Sequence, residues 1–218
     1  MSSRLLAAAF VLALFTAQHA PAQTNLPGHL YTGTGADLGV PDWRDIPESE
    51  SAVRFTDPQD VKSRKAAKFQ DRYAENITLR NNGLLAYRRL FGRASSFGTN
   101  GIDQAAVWLR QEIETSFYAQ RGIKYDERQV KRAGEVAYFV QSSPTATCFL
   151  FNALLGDGLR RDQDIGGNVC YDPKTRTAEA LEREMLSILS RARFGEPSDK
   201  NSFTVSFQIP DSMIPPRP

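Results

Sequence analysis

The chain has 218 residues, of which 41% are hydrophobic and 24% are charged, and its formal net charge is +2. That length and hydrophobic content suit a single globular domain. Two cysteines are too few for a disulfide-rich miniprotein. A net charge this close to zero is not that of a strongly basic nucleic-acid-binding protein, so we expect no nucleic-acid partner.

The first 22 residues have the pattern of a secretory signal peptide. Arg4 provides a positive start, Leu5 to Ala17 is an uncharged apolar run of 13 residues, and Ala20-Pro21-Ala22 gives the small-x-small cleavage pattern. A run of 13 is too short to cross the ~30 Å hydrocarbon core of a membrane, so no membrane anchor is expected. We predict a periplasmic or secreted protein, whose net charge falls to +1 when Arg4 is removed with the signal.

Three segments are predicted after the signal peptide 1–22: an extended or partly disordered arm over 23–55, a single domain over 56–210 and a Pro-rich tail over 211–218. The arm is rich in Gly, Pro, Asp and Ser. Four apolar residues are candidates for anchoring it to the domain: Trp43, Ile46, Val53 and Phe55.

The first half of the domain has the spacing of helices. Asp57-Pro58 is a helix-start signal, because a capping carboxylate precedes a proline at the first helical position. A helical stripe with spacings of eight, four and four follows: Val61, Phe69, Tyr73 and Ile77. A second stripe comprises Leu84, Tyr87 and Phe91. A hairpin that turns at Asn82-Gly83 is the alternative for residues 77–91 and stays open.

The second half of the domain alternates helices and strands. Helices are predicted over 102–120 and from Thr177, where glutamates near the start and arginines at the end suit the helix dipole. Strands are predicted in four places: 136–140, 145–154, 169–171 and 203–209. The predicted fold class is therefore α+β, with three or four helices packed on a small antiparallel sheet, one disulfide and an extended N-terminal arm.

The two cysteines, Cys148 and Cys170, are predicted to form a structural disulfide. An oxidising compartment favours pairing. The spacing does not match a Cys-x-x-Cys redox pair, and a nucleophilic cysteine needs a histidine base that is nearly absent here.

Catalytic chemistry has little support in the sequence. His29 is the only histidine outside the signal peptide, and it lies in the arm, which argues against Ser-His-Asp, Cys-His and histidine-based zinc sites. No cofactor is expected. A small exported carboxylate-based hydrolase remains an alternative, because paired carboxylates cannot be recognised without the tertiary structure.

The acidic, glycine-rich segment that begins at Asp162 suggests a calcium loop. Asp162 and Asp164 fall at loop positions 1 and 3, and Gly167 falls at position 6. Position 12 is Pro173 where a bidentate Glu is needed. A calcium-stabilised domain is therefore a second alternative, and a solvated loop tied by the disulfide is favoured over it.

Residues 60–93 carry a net charge of +6, whereas residues 23–59 carry −4. The predicted first helix holds five basic residues that could contact an anionic partner: Lys62, Arg64, Lys65, Lys68 and Arg72. The competing interpretation is a solvated helix face neutralised by the acidic arm. The leading prediction is an exported, soluble, non-catalytic binding or accessory module. It would bind a protein or an anionic ligand through this basic helical face or an exposed sheet face.

Overall fold

The computed structural model describes residues 43–68, 72–91, 102–156 and 162–214. The predicted signal peptide, residues 23–42 of the predicted arm and residues 215–218 of the predicted tail lie outside the described residues. The remaining part of the arm packs on the domain, since Ile46, Val53 and Phe55 are all buried.

The core of the protein is an eight-stranded antiparallel sheet with the strand order β1-β3-β4-β5-β9-β8-β7-β6. Its strands are β1 (Arg44–Asp45), β3 (Val61–Lys68), β4 (Arg72–Leu79), β5 (Leu84–Leu90), β6 (Lys131–Ala133), β7 (Val136–Ser142), β8 (Thr147–Leu155) and β9 (Gln163–Tyr171). A separate two-stranded ribbon pairs β2 (Val53–Phe55) with β10 (Ala192–Phe194). Within the large sheet, paired strands follow one another in the chain except for β1 with β3 and β5 with β9.

Three α-helices are present in the described residues: α1 (Ile102–Ile113), α2 (Ser116–Ala119) and α3 (Ala178–Ser190). Short 3-10 helices cover Glu48–Glu50, Pro58–Asp60, Glu127–Gln129, Lys200–Ser202 and Asp211–Met213. None of the helices in the described ranges is long and apolar enough to cross a membrane.

The sheet has a separate hydrophobic core on each face, because successive strand residues point to opposite faces. On one face, α3 and the β2–β10 ribbon cover Tyr138 and Phe149. On the other face, α1 and α2 cover Phe139 and Leu150. Strands β7 and β8 are thus enclosed between α1 and α3, which explains why β8 is buried along its whole length.

The predicted fold class is wrong. The protein is mostly β, and a large sheet replaces the small one. The segment predicted as the first helix instead forms strands β3 and β4, which pair through Ala67 and Ala74. The predicted helix start at Asp57-Pro58 is only one 3-10 turn, in which the Asp57 carboxylate accepts a hydrogen bond from the Gln59 backbone N–H at 3.0 Å.

Residues 77–91 adopt the hairpin that the sequence left as an alternative. Asn82 has a φ of +59°, in the left-handed region that Asn tolerates better than most residues. The Asn81 side chain accepts a hydrogen bond from the Gly83 N–H at 3.0 Å, which closes the turn. Strands β4 and β5 pair on either side of it.

The predicted strand over 203–209 is also wrong. Only Val205 forms a bridge, to Phe194 of β10, and the rest of the segment has no strand partner. Its alternation reflects burial of one side: Phe207 and Ile209 contribute to the core, whereas Gln208 is exposed. An extended segment can therefore show a strand period without belonging to a sheet.

The helix predicted from Thr177 and the disulfide are confirmed, whereas the single helix predicted over 102–120 is divided into α1 and α2. Thr177 caps α3, and its hydroxyl accepts a hydrogen bond from the Ala180 N–H at 3.2 Å. Cys148 and Cys170 form a disulfide between directly opposed positions of β8 and β9. It lies under α1, where Cys148 is fully buried.

Candidate functional site

The five basic residues singled out from the sequence lie on two strands rather than on one helix face. Lys62, Lys65 and Lys68 of β3 are exposed, and Arg72 at the start of β4 is partly buried. Arg64 is buried and is thereby withdrawn from any external partner. The structure therefore reduces the exposed basic set on β3 to three lysines, which we call the lysine edge.

Strand β3 lies close to one side of the sheet. Within the described residues, its one neighbour on the outer side is β1, a two-residue strand that pairs Arg44 with Ala66 and Asp45 with Lys65. The Ile46 N–H also donates to the Arg64 carbonyl, at 3.2 Å. In the described chain, the remainder of the outer side of β3 has no partner strand, so backbone donors and acceptors are available there.

The lysine edge has few internal contacts. Lys62 lies in the bulge between Val61 and Ser63, and its Nζ donates to Asn82 Oδ1 at 3.2 Å. Within the ranges that the structure describes, Lys65 and Lys68 make no side-chain hydrogen bond and have no carboxylate within ion-pair distance. Neither lysine is therefore held in an ion pair, although Asp45 of β1 lies directly opposite Lys65.

Arg64 instead stabilises a buried carboxylate on the neighbouring strand. Its Nη1 lies 3.4 Å from Glu75 Oε1 and donates to Ser51 Oγ at 2.8 Å and to the Val53 carbonyl at 2.6 Å. Glu75 also accepts hydrogen bonds from the Ser51 hydroxyl and from the Ala52 N–H, the latter at 3.0 Å. These bonds attach the chain before β2 to the sheet.

Burial controls the titration of this cluster. The loss of solvent raises the pKa of Glu75, against the lowering effects of the Ser51 hydrogen bond and the Arg64 charge. Burial and the adjacent Glu75 raise the pKa of Tyr73, whose hydroxyl donates to Glu75 Oε2 at 3.1 Å. Because all these groups are engaged with one another inside the protein, we interpret the cluster as structural.

The two aspartates of the proposed calcium loop face arginines. Asp164 lies in β9 and is 1% exposed. It accepts a hydrogen bond from Arg88 Nε at 2.8 Å and one from Asn152 Nδ2 at 3.0 Å. Asp162 lies 3.8 Å from Arg89. Residues 157–161 lie outside the described residues, and these contacts give the calcium hypothesis no support.

Metal binding has no candidate group in the part of the chain that is described. No three His, Cys, Asp or Glu side chains lie close enough together there to hold an ion. Three buried carboxylates contact arginines instead: Asp60, Glu75 and Asp164. Asp60 accepts from Arg191 Nε at 2.5 Å and from Arg191 Nη2 at 2.9 Å.

A cleft of about 440 Å³ lies between α3 and the C-terminal segment, and two glutamates line it. Glu182 is bound by Lys131 Nζ at 2.7 Å and by the Tyr138 hydroxyl at 2.8 Å. Glu179 is exposed at the start of α3, where its backbone N–H and Thr177 lower its pKa. A glycosidase-type hydrolase needs a carboxyl group of raised pKa as its acid, whereas the pKa of Glu179 is lowered.

One basic pair was missed by the sequence analysis. Arg54 of β2 and Arg193 of β10 are directly opposed in the ribbon. A sequence pattern for this pair exists, since Val53-Arg54-Phe55 and Ala192-Arg193-Phe194 are both apolar-Arg-apolar. Nothing in the sequence, however, indicates that these two segments pair as strands.

The described features that bear on function are thus the lysine edge, the buried carboxylates and the Arg54–Arg193 pair. No protein-family model, curated protein or solved structure matches this chain.

Proposed function

We propose that the protein is an exported, non-catalytic binding module that takes an acidic, extended segment of a partner protein at the lysine edge. The observation that carries the proposal is the exposure of Lys62, Lys65 and Lys68 along β3, whose outer side is paired with β1 only at its centre in the described residues. An acidic segment could pair with β3 beyond the ends of β1, where backbone hydrogen bonds would supply affinity and the lysines would supply charge complementarity.

The cross-linked sheet supports export. A disulfide between Cys148 and Cys170 persists in an oxidising compartment and is rare in reducing ones. This agrees with the signal peptide that we predict over residues 1–22, so a periplasmic or secreted location is part of the proposal.

The test compares two triple variants that have the same net charge. In the first, Lys62, Lys65 and Lys68 are changed to Gln. In the second, three exposed lysines elsewhere are changed to Gln: Lys124, Lys174 and Lys200. Binding of fluorescent poly-glutamate to the full chain is measured by anisotropy over a range of salt concentrations.

We expect the lysine-edge variant to bind about tenfold more weakly, since three surface contacts of several tenths of a kcal/mol each add up to about 1.4 kcal/mol. The control variant should bind as the wild type does, and the wild-type affinity should fall as salt screens the charges. Equal weakening in both variants would show that poly-glutamate responds only to net charge, and the proposal would then be wrong.

The same lysines also protect the sheet. Exposed lysines on an edge strand discourage two copies of a protein from pairing edge to edge. The lysine-edge variant should therefore be examined by analytical ultracentrifugation, so that self-association is not mistaken for a loss of binding.

A further inference from the structure

The β2–β10 ribbon places two arginines side by side. Its register aligns Arg54 with Arg193, and the flanking residues Val53, Phe55 and Phe194 are buried in the core. Because strand residues alternate between faces, the two arginines project together from the outer face of the ribbon. Directly opposed residues have Cβ atoms about 5 Å apart, so the two arginine side chains leave the ribbon next to each other.

Both guanidinium groups are fixed in position. The Arg54 guanidinium lies over the Phe203 ring, 3.7 Å from its centroid. Arg193 Nη1 donates to the Ser190 carbonyl at 2.9 Å and to the Ala192 carbonyl at 2.8 Å. The stacked ring and the two carbonyls restrain the side chains before any ligand binds, which lowers the entropic cost of binding.

Among the described residues, no carboxylate neutralises either arginine. In the described ranges, no carboxylate forms an ion pair with Arg54 or Arg193, whereas the nearby Arg191 and Arg89 are paired with Asp60 and Glu196. Arg54 Nε is also buried without a hydrogen-bond partner. A buried donor without an acceptor and two opposed like charges both destabilise a protein, and an anion placed between them would relieve both.

We propose that Arg54 and Arg193 form a binding site for a phosphate or sulfate group. Guanidinium groups bind such anions through pairs of parallel N–H···O hydrogen bonds, and two of them can surround a tetrahedral anion. Arg54 Nε and the N–H groups of Arg193 that do not bind carbonyls supply the donors. The site lies on the ribbon and is separate from the lysine edge.

Isothermal titration calorimetry on the full chain tests the proposal, with inorganic phosphate and inorganic sulfate as probes and chloride as the comparison anion. We expect one phosphate or sulfate per chain and no saturable heat with chloride. Arg54→Gln and Arg193→Gln should each raise the Kd about tenfold or more, because a charge-assisted hydrogen bond is lost. Arg183→Gln, which removes an exposed arginine of α3, should leave the Kd unchanged.

Thermal unfolding provides a second readout that does not depend on calorimetric heat. Phosphate that saturates the wild type should raise the Tm of the wild type and of Arg183→Gln equally, and it should raise the Tm of the two ribbon variants by less. If the wild type shows no saturable binding, or if Arg54→Gln and Arg193→Gln bind phosphate as the wild type does, the proposal is wrong. The lysine-edge variant should still bind phosphate, which separates this proposal from the proposed function.

Discussion

Reduction of the Cys148–Cys170 disulfide is expected to lower the free energy of unfolding by about 3 kcal/mol. The bond joins residues separated by 22 positions in the chain, and closing a loop of that length in the unfolded state has a chain-entropy cost of about that size. The two cysteines occupy directly opposed positions of β8 and β9. The strands keep their pairing when the thiols are reduced, so the change acts mainly on the unfolded chain.

The assay is urea unfolding followed by far-UV circular dichroism, with and without a reductant. For a domain of this size, a slope of about 2 kcal/mol per molar urea converts the loss into a midpoint lower by about 1.5 M. The variant Cys148→Ala/Cys170→Ala is the control, because its midpoint should not respond to the reductant. If reduced and oxidised wild-type protein unfold within about 0.5 kcal/mol of each other, the loop-entropy argument is refuted for this protein.

Three further changes test the buried charges and one turn. Burial raises the pKa of Glu75, so the folded state binds the Glu75 proton more tightly than the unfolded state does. The free energy of unfolding of the wild type should therefore fall, relative to that of Glu75→Gln, as the pH rises above about 4.3. Parallel plots of stability against pH for the two proteins would contradict this. Asp60→Asn should lower the free energy of unfolding in urea by about 3 kcal/mol, because Arg191 loses a buried partner, and a loss below about 1 kcal/mol would contradict it. Gly134 and Gly122 both have a positive φ, but only at Gly134 would a Cβ collide with the backbone of the C-terminal segment. Gly134→Ala should therefore lower the Tm more than Gly122→Ala does, and equal losses would show that the φ angle alone matters.

The helix prediction for residues 61–77 failed because its spacing does not discriminate between helix and strand. Tyr73 and Ile77 are four residues apart, and a spacing of four is an even number, so it also fits one face of a strand. Glu75 lies between them on that same buried face, and a charged residue there conceals the alternation. The tertiary contacts with Arg64 and with the Ser51–Ala52 segment make Glu75 acceptable inside the protein.

Residues 84–90 were ambiguous for a different reason. Leu85 and Tyr87 face one core, whereas Leu84 and Ala86 are buried on the opposite face of the sheet. A strand that is buried on both sides loses its period of two. By contrast, α3 was predicted correctly because a cap at Thr177, a full helical stripe and charges matched to the dipole all agreed.

The candidate sites were only partly accessible from the sequence. Lys62, Lys65 and Lys68 were found by their charge, but sequence alone could not separate them from Arg64, whose burial depends on Glu75 in the next strand. The two cysteines were found because pairing followed from their number and the expected compartment. Long-range strand pairing was the information that the sequence lacked.

The pairing of β5 with β9 affects the sequence in which the parts of the sheet can fold. Strand β5 hydrogen-bonds to β9 through pairs such as Leu84 with Asn168, which lie far apart in the sequence. As the polypeptide emerges from its N-terminus, β3, β4 and β5 can form a meander whose β5 edge stays open until β9 follows. Any chain that stops before residue 163 exposes that edge permanently, so truncated products should aggregate where full-length protein folds.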